Sequence, residues 1–201
     1  KKGRELGINL KNAATAKEWF RSAAKKVRNP SANELMSSDS KRFLPTQNIY
    51  HGSIGKMVMF FYDATTKEKL PYWDQFPVIF VIGIKDDGFL GINLHYLSSY
   101  QRAKLMDQLY TTMISPKTEE AKMRINYQIL KANSRFRLFR PCVKHYKWGG
   151  VRSRLFVVKP EEWDFIVMLP VERFVSMQKG QYQNVLKSKV WQDSMKKLKG
   201  N

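Results

Sequence analysis

The sequence has 201 residues, with 36 Lys and Arg against 17 Asp and Glu, a formal net charge of +19 and a pI near 10.0. Hydrophobic residues make up 43% and aromatics 13%, which suits one packed domain with appendages. The longest apolar run, Phe76 to Ile84, contains a proline and a glycine and is far shorter than the roughly 20 residues of a membrane span. Cys142 is the only cysteine, which excludes an intramolecular disulfide and argues against a thiolate zinc site.

Self-repulsion at this charge opposes compaction, so a polyanionic partner is expected, nucleic acid before an anionic membrane surface. A lone thiol fits a reducing compartment. The chain starts at Lys1 rather than at a methionine, which leaves its natural beginning open.

Residues 1–28 are strongly basic. Within them, Ala14–Val27 predicts a helix, with Thr15 and Glu18 spaced as a capping box. Trp19, Phe20, Ala23, Ala24 and Val27 form its apolar stripe, and Arg21, Lys25 and Arg28 lie on the remaining face. Asn29–Asn48, rich in Ser, Asn and Pro, reads as an arm or linker.

The core begins near Gly55. Lys56–Ala64 reads as a strand and Lys67–Pro77 as a proline-shaped loop. Val78–Ile84 and Phe89–Leu97 are two further strands around Asp86-Asp87-Gly88. Asp-Gly between apolar runs predicts a hairpin turn with positive φ. Ser98–Ile114 predicts a helix capped by Ser98 or Ser99, and Lys117–Asn133 a second one with an acidic start. Between Met57 and Glu120 the charge is slightly acidic, whereas Ala121–Pro160 contains basic charges only.

That acid-free block includes RFRLFRPCVKHYKWGGVRSRLFVVK, Arg135 to Lys159. It reads as two strand-like runs, Arg135–Tyr146 and Arg152–Lys159, joined through Lys147–Val151. Alternation places Arg135 and Arg137 on one face of the first run and Arg140 on the other. Paired with Arg152 and Arg154, they would present a phosphate-gripping face. His145, Tyr146 and Trp148 near the tip could stack on an exposed base, with Gly149-Gly150 allowing close backbone approach. Glu161–Phe174 reads as a helical turn, a strand and a bend. Leu186–Lys199 closes the chain as a basic helix whose apolar side holds Val190, Trp191 and Met195.

The resulting expectation is an α+β fold, with a small, strongly bent sheet or SH3-like barrel flanked by helices and basic N- and C-terminal helices. It divides as a basic helix and arm over 1–48, a core over 49–175 and a basic C-terminal helix over 176–201.

Catalytic signatures are missing. There is no Walker loop, GxGxxG, HExxH or GxSxG, and His51, His95 and His145 are not at metal-ligand spacing. A restriction-type nuclease needs a carboxylate followed by Glu-x-Lys or Asp-x-Lys to hold magnesium, which is not found. His95, in an apolar strand, reads as a packed core residue. No cofactor or metal is expected.

The string LPYWDQFPVIFVIGIKDDGFLGINLHYLSSYQRAKLMDQL, Leu70 to Leu109, resembles a segment of the DNA end protector family of T4-type tailed phages. There the pattern LPYYD-x-FP, GF-x-GLNLHYL, RA-x-LMD-x-L recurs. Its residues read as structural: Asp74 caps a turn, Pro71 and Pro77 shape a loop, Gly88 and Gly91 serve a hairpin, and Leu94, Tyr96 and Leu97 pack. The resemblance implies a non-catalytic virion protein at the head and neck. It would bind the ends of packaged double-stranded DNA and shield them from host exonuclease, with portal or neck proteins as neighbours. It would be found in the virion, and in the host cytoplasm during assembly and after injection.

The expected DNA-binding residues are Arg135, Arg137, Arg140, Lys144, Lys147, Trp148, Arg152 and Arg154. Arg21, Lys25, Arg28, Lys189, Lys196 and Lys197 are expected to support them. The rival readings are a structural connector, neck or baseplate component docking on acidic subunits, and a head-completion nuclease.

Overall fold

The computed structural model describes residues 13–30, 43–44, 53–113, 116–135, 139–168 and 172–199. Its centre is a six-stranded antiparallel sheet of β1 (Phe43–Leu44), β2 (Met57–Met59), β4 (Val78–Lys85), β5 (Gly88–Asn93), β6 (Val143–Lys147) and β7 (Leu155–Val158). The order across it is β1-β7-β2-β4-β5-β6. A second sheet joins β3 (Trp73–Asp74), β8 (Phe174–Gln178) and β9 (Gln181–Asn184), in the order β3-β8-β9.

Side chains along a strand alternate between faces, and here both faces are covered. Met57, Met59, Val78, Phe80, Phe156 and Val158 face one core. Val58, Ile79, Val81 and Leu155 face the other, together with Phe60, Phe89, Tyr146, and Trp73 and Val175 of the small sheet. Two buried faces are the reason the 78–84 segment is apolar throughout rather than alternating.

Five helices complete the described fold: α1 (Ala13–Arg28), α2 (Ser99–Met113), α3 (Glu119–Arg135), α4 (Trp163–Met168) and α5 (Lys187–Lys199). The apolar stripe of α1 places Ala16, Phe20, Ala23 and Val27 in the first core, with Phe20 edge-on to Phe76 at 5.3 Å. Ser98 caps α2 reciprocally: its Oγ accepts from the Gln101 N–H, and its own N–H donates to Gln101 Oε1. Val190 anchors α5 with no exposure.

Several expectations change. The sheet is open at β1 and β6 and does not close into a barrel. Arg135–Tyr146 is not one strand, because Arg135 ends α3, Arg140–Cys142 is a 3-10 turn and only Val143–Lys147 is extended. Nor do β6 and β7 pair: β6 bonds β5, and β7 bonds β1 and β2. Two strands so close in sequence lie apart in the sheet because β2, β4 and β5 are inserted between them.

The β4–β5 hairpin forms around Asp86-Asp87, but neither Asp87 nor Gly88 has positive φ. Gly88 is required for another reason. A Cβ there would lie 2.1 Å from the Tyr146 carbonyl oxygen on β6. The hairpin with positive φ is instead β8–β9, at Lys179 (φ 48°) and Gly180 (φ 77°).

Two buried polar clusters join these layers. Asp74 is 3% exposed and His95 1%. Asp74 Oδ2 lies 2.6 Å from His95 Nδ1 and accepts from Asn93 Nδ2 at 3.0 Å, while Oδ1 accepts from the Phe76 N–H. Asn93 Nδ2 also donates to the Tyr146 hydroxyl. In the second cluster the buried Arg102 donates to the Leu94 carbonyl at 2.7 Å and to Glu172 at 2.5 Å, and Lys187 also pairs with Glu172. Burial opposes the charge on Glu172, but the cations His95, Lys187 and Arg102 prevail and hold its pKa below the ordinary carboxylate value.

Two outcomes follow for stability. Gly88→Ala is expected to cost about 2 kcal/mol or more in denaturant unfolding, because backbone blocks the new methyl group. Gly83→Ala, whose Cβ would meet only Leu90 at 3.7 Å, is expected to stay within about 0.5 kcal/mol. A depressed folded pKa adds stability above the unfolded value and loses it as pH falls through the folded one. Wild-type stability should therefore decline as pH falls from about 5 to 3, and Glu172→Gln should remove part of that decline while costing about 3 kcal/mol at pH 7.

Candidate nucleic-acid interface

Three arginines from distant parts of the chain line one cleft of about 370 Å³, together with Phe61, Tyr62, Asp63 and Gln75. They are Arg28, at the C-terminal end of α1, Arg152, in the segment before β7, and Arg173, just before β8. All three are exposed.

A relay of backbone hydrogen bonds sets the spacing of Arg152 and Arg173. The Arg152 N–H donates to the Phe61 carbonyl at 2.8 Å, Tyr62 N–H to Gln75 at 2.9 Å, and Gln75 N–H to Arg173 at 2.8 Å. Ser153 Oγ accepts from the Phe61 N–H, and Asp63 N–H donates to Gly150. Gly150 allows this contact, since a Cβ would lie 2.6 Å from the Tyr62 ring and 2.7 Å from the Asp63 carbonyl. Gly150, expected to allow close approach to a nucleic acid, is packed here against Tyr62 and Asp63 of the fold itself.

The cleft contains one carboxylate. Asp63 is engaged by Lys67 at 2.8 Å and by the Tyr182 hydroxyl at 3.2 Å. Arg152 reaches it only at 3.9 Å, with its own side chain 56% exposed. Arg28 lies over the Phe61 ring at 4.9 Å, and its position at a helix C-terminus is electrostatically favourable. Stacking covers one guanidinium face and leaves the in-plane N–H donors for an anion.

The expected binding residues do not form a single face. Arg135 is exposed at the end of α3 and Arg140 in the following 3-10 turn, while Arg137 lies outside the described residues. Lys144 and Lys147 are on β6, the sheet edge, lining a different groove of about 390 Å³ with Tyr72, Trp73 and Tyr96. Lys144 lies over the Tyr96 ring at 4.0 Å, and Lys147 pairs with Asp87 at 3.6 Å. Charged residues on an edge strand also guard it against pairing with another sheet.

Trp148 is half-buried and tilted on Phe89 at 4.9 Å, Tyr146 is buried, and His145 lies 3.0 Å from Asp87. Arg154 is exposed two residues from Arg152. Arg21 and Lys25 are exposed on α1, and Lys189 and Lys196 on α5, which also includes Lys197. Of all these, the cleft brings together Arg28 and Arg152. Arg173 was not anticipated. Only the β3–β8 pairing carries it to Gln75, and no local pattern in VERF signals that.

What the cleft itself offers a ligand is positive charge and N–H donors. Among the described residues no group of three His, Cys, Asp or Glu could hold a metal ion, and no helix is long and apolar enough to cross a membrane. Burial pushes the Cys142 thiol up to about 12, so it stays protonated at neutral pH and is a poor nucleophile.

Residues 3–194 match the family described as phage T4 terminal DNA protecting protein. The chain belongs to that family, and protection of DNA ends is the activity this membership assigns. No curated protein and no solved structure matches the chain.

The arginines divide by role, which stability can test. Arg152→Gln and Arg173→Gln, exposed and weakly tied, are expected to change unfolding free energy by no more than about 0.5 kcal/mol. Arg102→Gln, which leaves buried Glu172 with Lys187 alone and the Leu94 carbonyl without its donor, is expected to cost about 3 kcal/mol or more. Chemical denaturation of the three variants checks both values.

Proposed function

We propose that this member of the terminal DNA protecting family is a non-catalytic virion protein. It binds the ends of packaged double-stranded DNA and shields them from host exonuclease. The observation that carries this reading is the three-arginine cleft, built on a fixed backbone frame with one carboxylate already engaged by Lys67.

Such a cleft suits phosphate. Guanidinium groups give charge-assisted, often bidentate bonds to phosphate oxygens, and every duplex end presents phosphates whatever its sequence. Protection then follows from occupancy alone. An end-loading exonuclease needs the terminus that the protein covers, so the protein itself needs no acid or base.

Arg154, Arg21 and Lys25, together with the cations of α3, β6 and α5, would add sequence-independent attraction for the adjoining duplex. In the particle the protein would sit at the DNA terminus beside portal or neck proteins, and it would enter the host cytoplasm with that end. Leu186 and Met195, 75% and 49% exposed beside and on α5, are apolar surface suited to such a protein neighbour.

Binding to linear and covalently closed circular DNA of equal length, across a salt series, tests the reading. The expected result is preference for linear DNA, with its ends protected from an added exonuclease. Each Gln replacement at Arg28, Arg152 or Arg173 should reduce the slope of log affinity against log salt by about one. Equal affinity for linear and circular DNA would refute end binding and favour the connector reading.

A further inference from the structure

Resting on the end-binding reading, we infer that the Arg28–Arg152–Arg173 cleft is a receptor for the terminal phosphate monoester of DNA. The inference concerns what distinguishes an end from the interior of a duplex. An internal phosphodiester carries one negative charge and two free oxygens. A terminal monoester carries about −1.5 to −2 at pH 7 and three acceptor oxygens.

The charges and the geometry of the cleft fit the monoester. Three arginines and one carboxylate line it, a surplus of two positive charges. Asp63 takes little of that surplus, since Lys67 is its close partner at 2.8 Å and Arg152 stands off at 3.9 Å. The Arg28 guanidinium lies over the Phe61 ring at 4.9 Å, which favours its position at the cleft. Arg152 and Arg173 approach from separate segments tied through Phe61, Tyr62 and Gln75. Three guanidinium side chains borne by three separate segments can serve three oxygens on one phosphorus, whereas a phosphodiester offers only two free oxygens. The cleft, about 370 Å³ and open to solvent, has room for a terminal phosphate group.

The experiment uses the full chain and one blunt duplex, prepared with 5′-phosphate or with 5′-hydroxyl ends. Affinities are compared at fixed salt for the wild type and for the Arg152→Gln, Arg173→Gln double variant. Its thermal unfolding is measured alongside to show that it is folded. Removal of the 5′-phosphates is expected to weaken wild-type binding by about tenfold, the effect of roughly one lost charge-assisted group. The double variant is expected to bind both duplexes alike.

Equal wild-type affinity for the two duplexes would overturn the inference, as would a phosphate preference that survives in the folded double variant. A duplex preference over closed circles that ignores the phosphate would leave end binding intact and remove only this receptor. Equal binding to circles would remove both.

Discussion

The carboxylate of Asp74 is the point on which the two sheets, the C-terminal helix and the arginine cleft all depend. A buried charge must be paired or it is costly, and Asp74 is paired on every side. Through Asn93 it holds the end of β5 and the Tyr146 hydroxyl of β6. Through His95 it holds the turn whose carbonyl accepts from Trp191 of α5. Through its own turn it fixes Phe76, and the residue between them, Gln75, relays hydrogen bonds to Tyr62 and Arg173. The frame that spaces the surface arginines is thus a continuation of the polar core.

That arrangement separates two uses of arginine. Arg102 is neutralised internally by Glu172, with Lys187 on the same carboxylate; it ties α2 to the segment before β8. Arg28, Arg152 and Arg173 are held by their backbones, with their side chains left to solvent. The net charge of +19 is the surplus that the proposed DNA ligand would neutralise. In the proposed binding the described cations of the 135–159 block would contribute from separate places, on α3, on β6 and before β7.

The strands and helices whose burial repeats locally were legible in the sequence. The α1 stripe, the Ser98 cap, the β4–β5 hairpin and the two-sided apolar run at 78–84 all follow from spacing. The misread parts depend on distant partners. RFRLFR alternates like a strand, yet Arg135 is helical, because α3 continues two residues past Asn133. Gly88 looked like a conformational glycine and is a spatial one, set by Tyr146 58 residues later in the chain. Gln181–Asn184 is exposed throughout, so it lacks the apolar alternation that marks a strand. Of the cleft, Arg28 and Arg152 were visible as cations, but their meeting with Arg173 arises only from sheet pairing.

The central claim is that a DNA terminus lies in the arginine cleft. The most direct measurement is photo-crosslinking from a probe on the terminal nucleotide of a blunt duplex, with the attached peptides identified by mass spectrometry. The account predicts crosslinks in the 61–63, 150–154 and 172–173 segments, and their loss when the probe moves to the middle of the duplex. Crosslinks concentrated at Arg135–Lys147, or independent of probe position, would contradict it.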